Sequence, residues 1–490
     1  MTNEAMTTPP STGIADDIGS FYKAIWSSAT GAAVRYRLAI VVEVAMILAW
    51  FAIRTAFDVD GRVYAAWVVI AGVLALVAPL SGLVVFIGSS AFFEPDSFAR
   101  GVALRELVIL PLAAGVLVRI AADRFRWRPG PGVIAALLLL AGTAVSLGVA
   151  FARFDDAIAW HAARSWLGNA FAPITLLVAA AWTARQGELR ALVTAVIVGV
   201  IVAIVCLVEY VTPGSVSTGP FAWVGFWKDF GSRLGGTVPS PNALSAQLIV
   251  PTMILLAAAI FARDLRLRLV AILASLPLIA AHYLTFSRSP ILGLYAFVVV
   301  AAWRVRRVFG VAALAGGLVL GGLLLPGYLA LRTQSSGVEV IPGTVLVATD
   351  EYRLQAWGVA GRMFLEEPLT GQGFLAYREL GVAFGDEILR SPHNEWLRYF
   401  AEGGILVGII GLAFVVVTTR ELHRVPGSLG TGLTGGFLAY VIAASVNNPL
   451  LFLRVSAVVF PIVGVGLALA VSTRTQSAKT GQAAATLTLH

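Results

Sequence analysis

Long apolar runs alternate with short polar interruptions along most of the chain, and each run has the length of a bilayer crossing. Spans are predicted over 38–57, 63–78, 80–93, 102–122, 133–152, 167–184 and 189–211. Later ones fall over 243–261, 267–286, 290–303, 308–325, 396–418, 431–444 and 450–471. Lipid admits only helices or closed barrels as spanning structures, and these runs are continuous rather than alternating, so helices are expected. The fold class is therefore all-α, a polytopic integral membrane protein with about fourteen helices, within a range of about twelve to fourteen.

Orientation follows from where arginine collects in short connections. The clusters are Arg35 and Arg37; Arg124, Arg126 and Arg128; Arg185 and Arg190; Arg263, Arg266 and Arg268; Arg304, Arg306 and Arg307; and Arg420 and Arg424. Basic short loops mark the cytoplasmic side. All six clusters share one side only if the run from 63 to 93 holds two helices, broken near Pro79-Leu80-Ser81-Gly82. The organisation expected is a cytoplasmic tail over 1–36, membrane helices with shorter outer loops over 37–325, and a large extracytoplasmic loop over 326–392. C-terminal membrane helices follow over 393–472, with a cytoplasmic tail over 473–490. Three outer segments result, 153–166, 212–242 and 326–392. Within the last, 350–367 reads as one amphipathic helix, with Asp350 as N-cap, Leu354, Trp357, Ala360 and Phe364 on one side, and Pro368 ending it. Gly371-Gln372-Gly373 then turns the chain back.

Composition agrees with the pattern. Of 490 residues, 58% are hydrophobic and 13% charged, and the mean hydropathy is +0.85, which leaves too little polar surface to face water. The net charge of +8 does not point to nucleic acid, because the basic residues sit in short clusters between apolar runs rather than on one face or tail. The one cysteine, Cys206, lies inside an apolar run, so no loop can be braced by a disulfide. The first 33 residues lack the compact apolar region and cleavage site of a signal peptide.

Candidate chemistry gathers at the outer ends of spans. In Ser391-Pro392-His393-Asn394-Glu395-Trp396 a polar loop meets a span; Ser391 suits the N-cap and Pro392 the first helical position, so His393 is expected in the first turn. The positive helix end favours anions and a neutral imidazole there. A polar interfacial histidine bonded to a loop carbonyl is the plainer alternative. Arginine supplies the second signal. Thr285-Phe286-Ser287-Arg288-Ser289-Pro290 places a cation at an outer helix end, against the usual bias, and Arg233 and Arg353 also lie outside. The segment 326–392 carries five arginines against eight acids, so general basicity does not explain an arginine there. Several guanidinium forks at one site would suit a diphosphate, while pairing with loop acids such as Glu339 or Glu351 is the alternative. Asn242, after Pro241, is either a ligand contact or a cap, with the cap favoured. Glu43, Arg105, Glu106, Arg119 and Glu209 fall in or near spans, mostly near helix ends where pairing or snorkelling suffices. Gly168, Gly403 and Gly404 are expected to allow close helix contact. No metal-ligand cluster, phosphate-binding glycine loop or Asp-rich motif is visible.

These residues, taken in order, resemble the O-antigen ligase and polymerase superfamily. The likeness rests on Arg233-Leu234-Gly235-Gly236-Thr237 with Pro241-Asn242, Ser287-Arg288, Arg353 through Gly371-Gln372-Gly373-Phe374, and His393-Asn394 through Glu402-Gly403-Gly404. It covers roughly 184–471 and leaves the N-terminal third without a placed motif. The resemblance implies a GT-C-like membrane glycosyltransferase of the bacterial inner membrane, multi-pass, with both termini cytoplasmic. It implies transfer of a glycan from a polyprenyl diphosphate carrier to a glycan, lipid or protein acceptor on the outer face, with no metal or other cofactor and no nucleic acid partner. By motif position His393 would activate or orient the acceptor, Arg288, Arg233 and Arg353 would bind diphosphate, and Asn394, Asn242 and Glu402 would support them. A transporter or flippase of lipid-linked glycans would use the same cations without bond cleavage, but calls for matched broken helices at mid-membrane. A scaffold without catalysis would tolerate loss of any one of these residues.

Overall fold

The computed structural model describes residues 31–56, 61–90, 97–98, 102–103, 108–122, 128–215, 233–238, 240–319, 323, 349–386 and 391–487. The helices are α1 (Gly31–Ala56), α2 (Gly61–Val77), α3 (Pro79–Ser90), α4 (Ile109–Ala121), α5 (Pro131–Arg153), α6 (Asp156–Gln186), α7 (Arg190–Val211), α8 (Pro241–Phe261), α9 (Leu265–Leu284) and α10 (Ser289–Val305). They continue as α11 (Arg307–Val319), α12 (Thr349–Glu366), α13 (Ala376–Leu380), α14 (Glu395–His423), α15 (Gly427–Ala444) and α16 (Leu453–Leu487), with a 3-10 turn at Pro449–Leu451. A two-residue antiparallel ladder, Ser97–Phe98 with Val102–Ala103, stands before α4. Among the described residues nine helices are long and apolar enough to cross a membrane, and α2, α3, α4, α10 and α11 are shorter apolar ones.

Where the apolar run was expected to break, it does. The helix is interrupted by a bend at Ala78, just before Pro79, and α2 and α3 pack against each other so tightly that a Cβ on Gly82 would lie 2.3 Å from the Cα of Ala75. The expected outer loop over 153–166 is instead mostly helix. Asp155 caps α6, its Oδ1 accepting from the Ile158 N–H at 2.9 Å, so helical pairing starts there. At about 1.5 Å per residue, the 31 residues of α6 reach about 46 Å, well past a hydrocarbon layer of about 30 Å. The helix is therefore longer than one untilted crossing needs.

Packing centres on α16, whose first 23 residues are mostly buried and which runs against α6 along much of its length. Around this pair α14 packs on α5, and α15 lies between α8 and α10. Small residues bring those helices together, since a Cβ on Gly432 would lie 2.6 Å from the Cα of Ile254 and one on Gly435 would lie 2.7 Å from the Phe297 ring. Gly168, expected to serve the same purpose, has open space where its Cβ would be. The helix α16 continues to Leu487, past the start of the expected tail at Thr473.

The amphipathic helix of the outer loop is present as α12, but its buried stripe is Ala356, Val359, Ala360 and Met363. Leu354 is exposed, and Trp357 and Phe364 are half-buried, so the buried face is turned about one position from that expected. The cause is tertiary: α12 buries that stripe against Tyr377 and Ala401 rather than against a flat interface. The tail over 1–30, Arg105, Glu106, Arg124, Arg126, Arg332, Arg390 and the residues Glu339 and Glu387 lie outside the described residues, as do the side chains of Asp350 and Glu351.

Three of the charged residues singled out in or near spans have partners. Glu43, in the middle of α1, pairs with Arg190, while Arg119 donates to the Leu76 and Gly115 carbonyls at 3.0 and 2.8 Å and Glu209 accepts from the Gly214 N–H at 2.9 Å.

Candidate functional site

Two groups of predicted residues assemble near the starts of α8, α10 and α14. The first is built by the segment 233–238, which lies along the end of α9, with the Leu234 N–H donating to the Leu284 carbonyl at 2.8 Å. Arg233 extends from it. Its Nε donates to the Thr285 carbonyl at 2.9 Å and its Nη2 to Asn242 Oδ1 at 3.1 Å. Asn242 is thus not the cap of α8. Ser240 fills that role, its Oγ accepting from the Ala243 N–H at 3.0 Å, with Pro241 in the first turn, and Asn242 is left to hold a guanidinium.

The turn between α9 and α10 passes through Phe286 at φ 47°, a left-handed residue, and delivers Arg288 to the N-cap position of α10. Ser287 and Ser289 hydroxyls meet at 3.0 Å around it. A cation at the N-terminal end of a helix adds positive charge to the positive end of the dipole, an arrangement that an anion would relieve. Behind this turn a polar chain enters the bundle. Ser289 Oγ lies 3.4 Å from Ser245 Oγ, which lies 3.4 Å from His282 Nδ1, and His282 Nε2 lies 3.1 Å from Thr252 Oγ1. His282 is a buried histidine inside an apolar span, and that fact alone would have marked it in the sequence.

The second group surrounds His393. The expected N-cap was Ser391; the observed cap is Asn394, whose Oδ1 accepts from the N–H groups of Trp396 and Leu397 at 3.1 and 3.2 Å. His393 is therefore outside the helix, not in its first turn, and holds φ 46°. Ser391 serves the loop instead, its Oγ accepting from the His393 N–H at 3.3 Å and from the Asn448 side-chain amide. Asn394, expected to support the site, is committed through that oxygen to the cap. Burial pushes the His393 imidazole below its ordinary value and the Arg353 guanidinium lowers it further, outweighing the Asn447 amide and the Asp386 carboxylate. Its Nδ1 is buried and makes no hydrogen bond among the described residues. A neutral imidazole with an open nitrogen can take a proton.

Below His393 lies a buried ionic cluster that sequence reasoning missed. Arg398 donates through Nε to Glu395 Oε1 at 3.1 Å, through Nη1 to Glu402 Oε2 at 3.2 Å and through Nη2 to Asn169 Oδ1 at 3.1 Å. All three charged side chains are at least 95% buried. Their i, i+3 and i, i+4 spacing was readable, but their burial was not. Glu402 is accordingly spent on Arg398 and on the Tyr377 N–H at 3.4 Å, rather than on the histidine loop.

Two residues beyond Glu402, α14 kinks at Gly404, at φ 69° and ψ −170°. The turn at Gly371–Gly373 runs alongside the break. Gln372 N–H donates to the Ala401 carbonyl and Gly373 N–H to that of Glu402, each at 3.0 Å, and Ile405 N–H donates to the Pro368 carbonyl at 2.8 Å. Ser146 of α5 closes the assembly, donating to the Glu402 carbonyl at 2.7 Å and accepting from the Phe374 N–H at 2.9 Å through its own carbonyl. A Cβ on Gly404 would stand 2.3 Å from the Leu369 carbonyl oxygen. Gly404 does allow a close contact, as expected, but its neighbour is the returning loop rather than another helix.

Arg233, Asn242 and the turn carrying Arg288 thus form one group, and His393 and Arg353 another. The 3-10 turn that follows Asn447 and Asn448 packs against both α8 and α15. Residues 272–413 match the family model described as O-Antigen ligase. The matched stretch holds Arg288, Arg353, the Gly371–Gly373 turn, His393 and Glu402, and the likeness to the O-antigen ligase superfamily is shown there. Comparison with curated proteins finds no match.

Proposed function

We propose that the chain is a membrane glycosyltransferase that moves a glycan from a polyprenyl diphosphate carrier to an acceptor hydroxyl on the extracytoplasmic face. The coarser reading, a multi-pass membrane protein of glycan transfer, is supported by the O-antigen ligase match together with the apolar helices. The finer reading takes α2, α3, α4, α10 and α11 as crossings too, giving a GT-C-like bundle with both termini on the cytoplasmic side of a bacterial inner membrane.

In the proposed reaction an acceptor oxygen attacks the anomeric carbon, the bond from that carbon to the carrier's phosphate oxygen breaks, and the acceptor proton passes to His393. Configuration inverts, and no metal takes part. The diphosphate leaves as an anion beside Arg288, Arg233 and Arg353, whose charges offset what develops on the leaving oxygen. Proton transfer to a positioned base contributes a smaller share. The observation that carries this reading is a neutral imidazole with an open, buried nitrogen on a loop electrostatically coupled to Arg353, in a chain whose Arg288 crowns a helix N-terminus.

Purified His393→Ala and Arg288→Ala proteins, assayed with a lipid-linked glycan, should insert and fold yet show no transfer. Near-normal turnover in both would remove the mechanism.

A further inference from the structure

The segment between α15 and the 3-10 turn runs beside the His393 loop and meets it three times. The Trp396 indole N–H donates to Ser445 Oγ at 3.0 Å, the Asn447 side chain is hydrogen-bonded to the His393 imidazole, and the Asn448 side-chain amide donates to Ser391 Oγ. The three contacts fall in antiparallel order along the two segments. We propose that Asn447 and Asn448 are positioning residues of the candidate base, Asn448 fixing the backbone of His393 and Asn447 fixing its ring so that Nδ1 is left to take the proton. The inference rests on the reading of His393 as that base, and both asparagines lie beyond the stretch 272–413 that matches the family model.

The backbone of His393 needs such support. At φ 46° it lies in the left-handed region, which a side chain other than glycine keeps only where its neighbours hold it. Ser391 Oγ is the holder, accepting the His393 N–H at 3.3 Å, and Asn448 anchors Ser391 from 57 residues along the chain. With the Asn448 amide turned over, the Ser391 hydroxyl would donate to its Oδ1, and the tie would stand. Capping of the 3-10 turn does not account for this residue, because Asn448 occupies the N-cap position yet its side chain makes no cap bond. Both asparagines are buried, where an amide is costly unless it is bonded.

The ring contact selects a tautomer. His393 Nδ1 makes no hydrogen bond among the described residues, which leaves Nε2 as the nitrogen facing Asn447. The contact pulls the imidazole up, against burial and the Arg353 guanidinium, so it is one in which a ring N–H donates and Asn447 Oδ1 accepts. Asn447 Nδ2, buried and without a hydrogen bond among the described residues, agrees with that orientation. The neutral ring then carries its proton on Nε2 and its lone pair on Nδ1. The charged groups acting on the ring are Arg353, which lowers it, and Asp386, which raises it. An amide suits this place better than a further carboxylate, because it orients the ring without stabilising imidazolium, which has no lone pair to offer.

The test uses the full-length protein in detergent, with histidine nitrogens isotopically labelled for NMR. The His393 signals, identified by their loss in His393→Ala, should show the proton on Nε2 and a bare Nδ1 above neutral pH, and Asn447→Ala should show a mixture of tautomers. In transfer assays with a lipid-linked glycan, Asn447→Ala should lower kcat about fivefold to tenfold, the worth of one hydrogen bond, with KM for the donor unchanged. Its acid limb should move to lower pH, since the lost contact held the imidazole up. Asn447→Asp should recover kcat at high pH and move the limb to higher pH, because a carboxylate grips the same N–H but favours imidazolium. Asn448→Ala should also lower kcat rather than raise KM. The proposal is overturned by a proton on Nδ1 in the parent, by limbs that fail to move in opposite directions, or by losses carried in KM. The spectrum needs no transfer assay, so normal turnover in His393→Ala, which would remove the base itself, is a failure separate from that of the tautomer.

Discussion

Replacing Arg398 with methionine should be the most damaging single change near the candidate site. The side chain is 2% exposed and holds Glu395 and Glu402, which are 0% and 5% exposed, together with Asn169. Methionine fills a similar space but leaves two carboxylates buried with no counter-ion. Removing one partner of a buried pair typically costs about 3–5 kcal/mol, which is roughly two to four orders of magnitude in the folding equilibrium. Adding Glu395→Gln and Glu402→Gln to the methionine variant removes the stranded charges and should recover most of the loss. Unfolding of the purified protein by heat or by denaturing detergent, compared across parent, single and triple variants, measures both steps. A single variant as stable as the parent, or a triple variant as damaged as the single, would refute the claim that charge burial sets the cost.

Three further outcomes follow from the geometry. Arg353 lowers the His393 imidazole, so Arg353→Gln should raise it toward its ordinary value; the acid limb of the pH profile for transfer should then move to higher pH, because only the neutral imidazole accepts a proton. The pH dependence of kcat/KM checks this, and an unmoved limb would argue against the coupling. Gly404→Ala should cost about 1–3 kcal/mol from its left-handed backbone alone, and more from the clash with Leu369, seen as a lower thermal midpoint with membrane insertion intact. Loss of the Arg233 fork by Arg233→Ala should raise KM for the lipid-linked donor by about tenfold to a hundredfold, the worth of one charge-assisted contact, and Asn242→Ala should do so less, since it only loosens the fork.

Part of the site was legible and part was not, for reasons visible in single residues. Arg288 stood out because a cation at an outer span end breaks the local rule, and its place at the start of α10 follows from the Pro290 beside it. His393 stood out for lying where a polar loop meets an apolar run. Its conformation did not, because Ser391 and Asn394 are both good caps by residue type and nothing nearby decides between them. Asn242 and Glu402 were drawn to the right neighbourhood, but their partners are Arg233, nine residues away, and Arg398, four residues away on a helix face whose burial only packing sets. The polar chain through His282 was missed because it depends on Ser245, Thr252 and Ser289 facing inward from different helices.

What the sequence determined by itself is an all-helical chain of apolar runs, including the break at Ala78, because a bilayer demands runs of a set length and a backbone satisfied within each run. That requirement is local. Only the tertiary structure decided which cap is used, which buried charges find each other, and which glycine meets a loop rather than a helix. These depend on the approach of segments far apart in the chain, such as Asn169 to Arg398 and Ser146 to Glu402, and side-chain pairing at that range is set by packing.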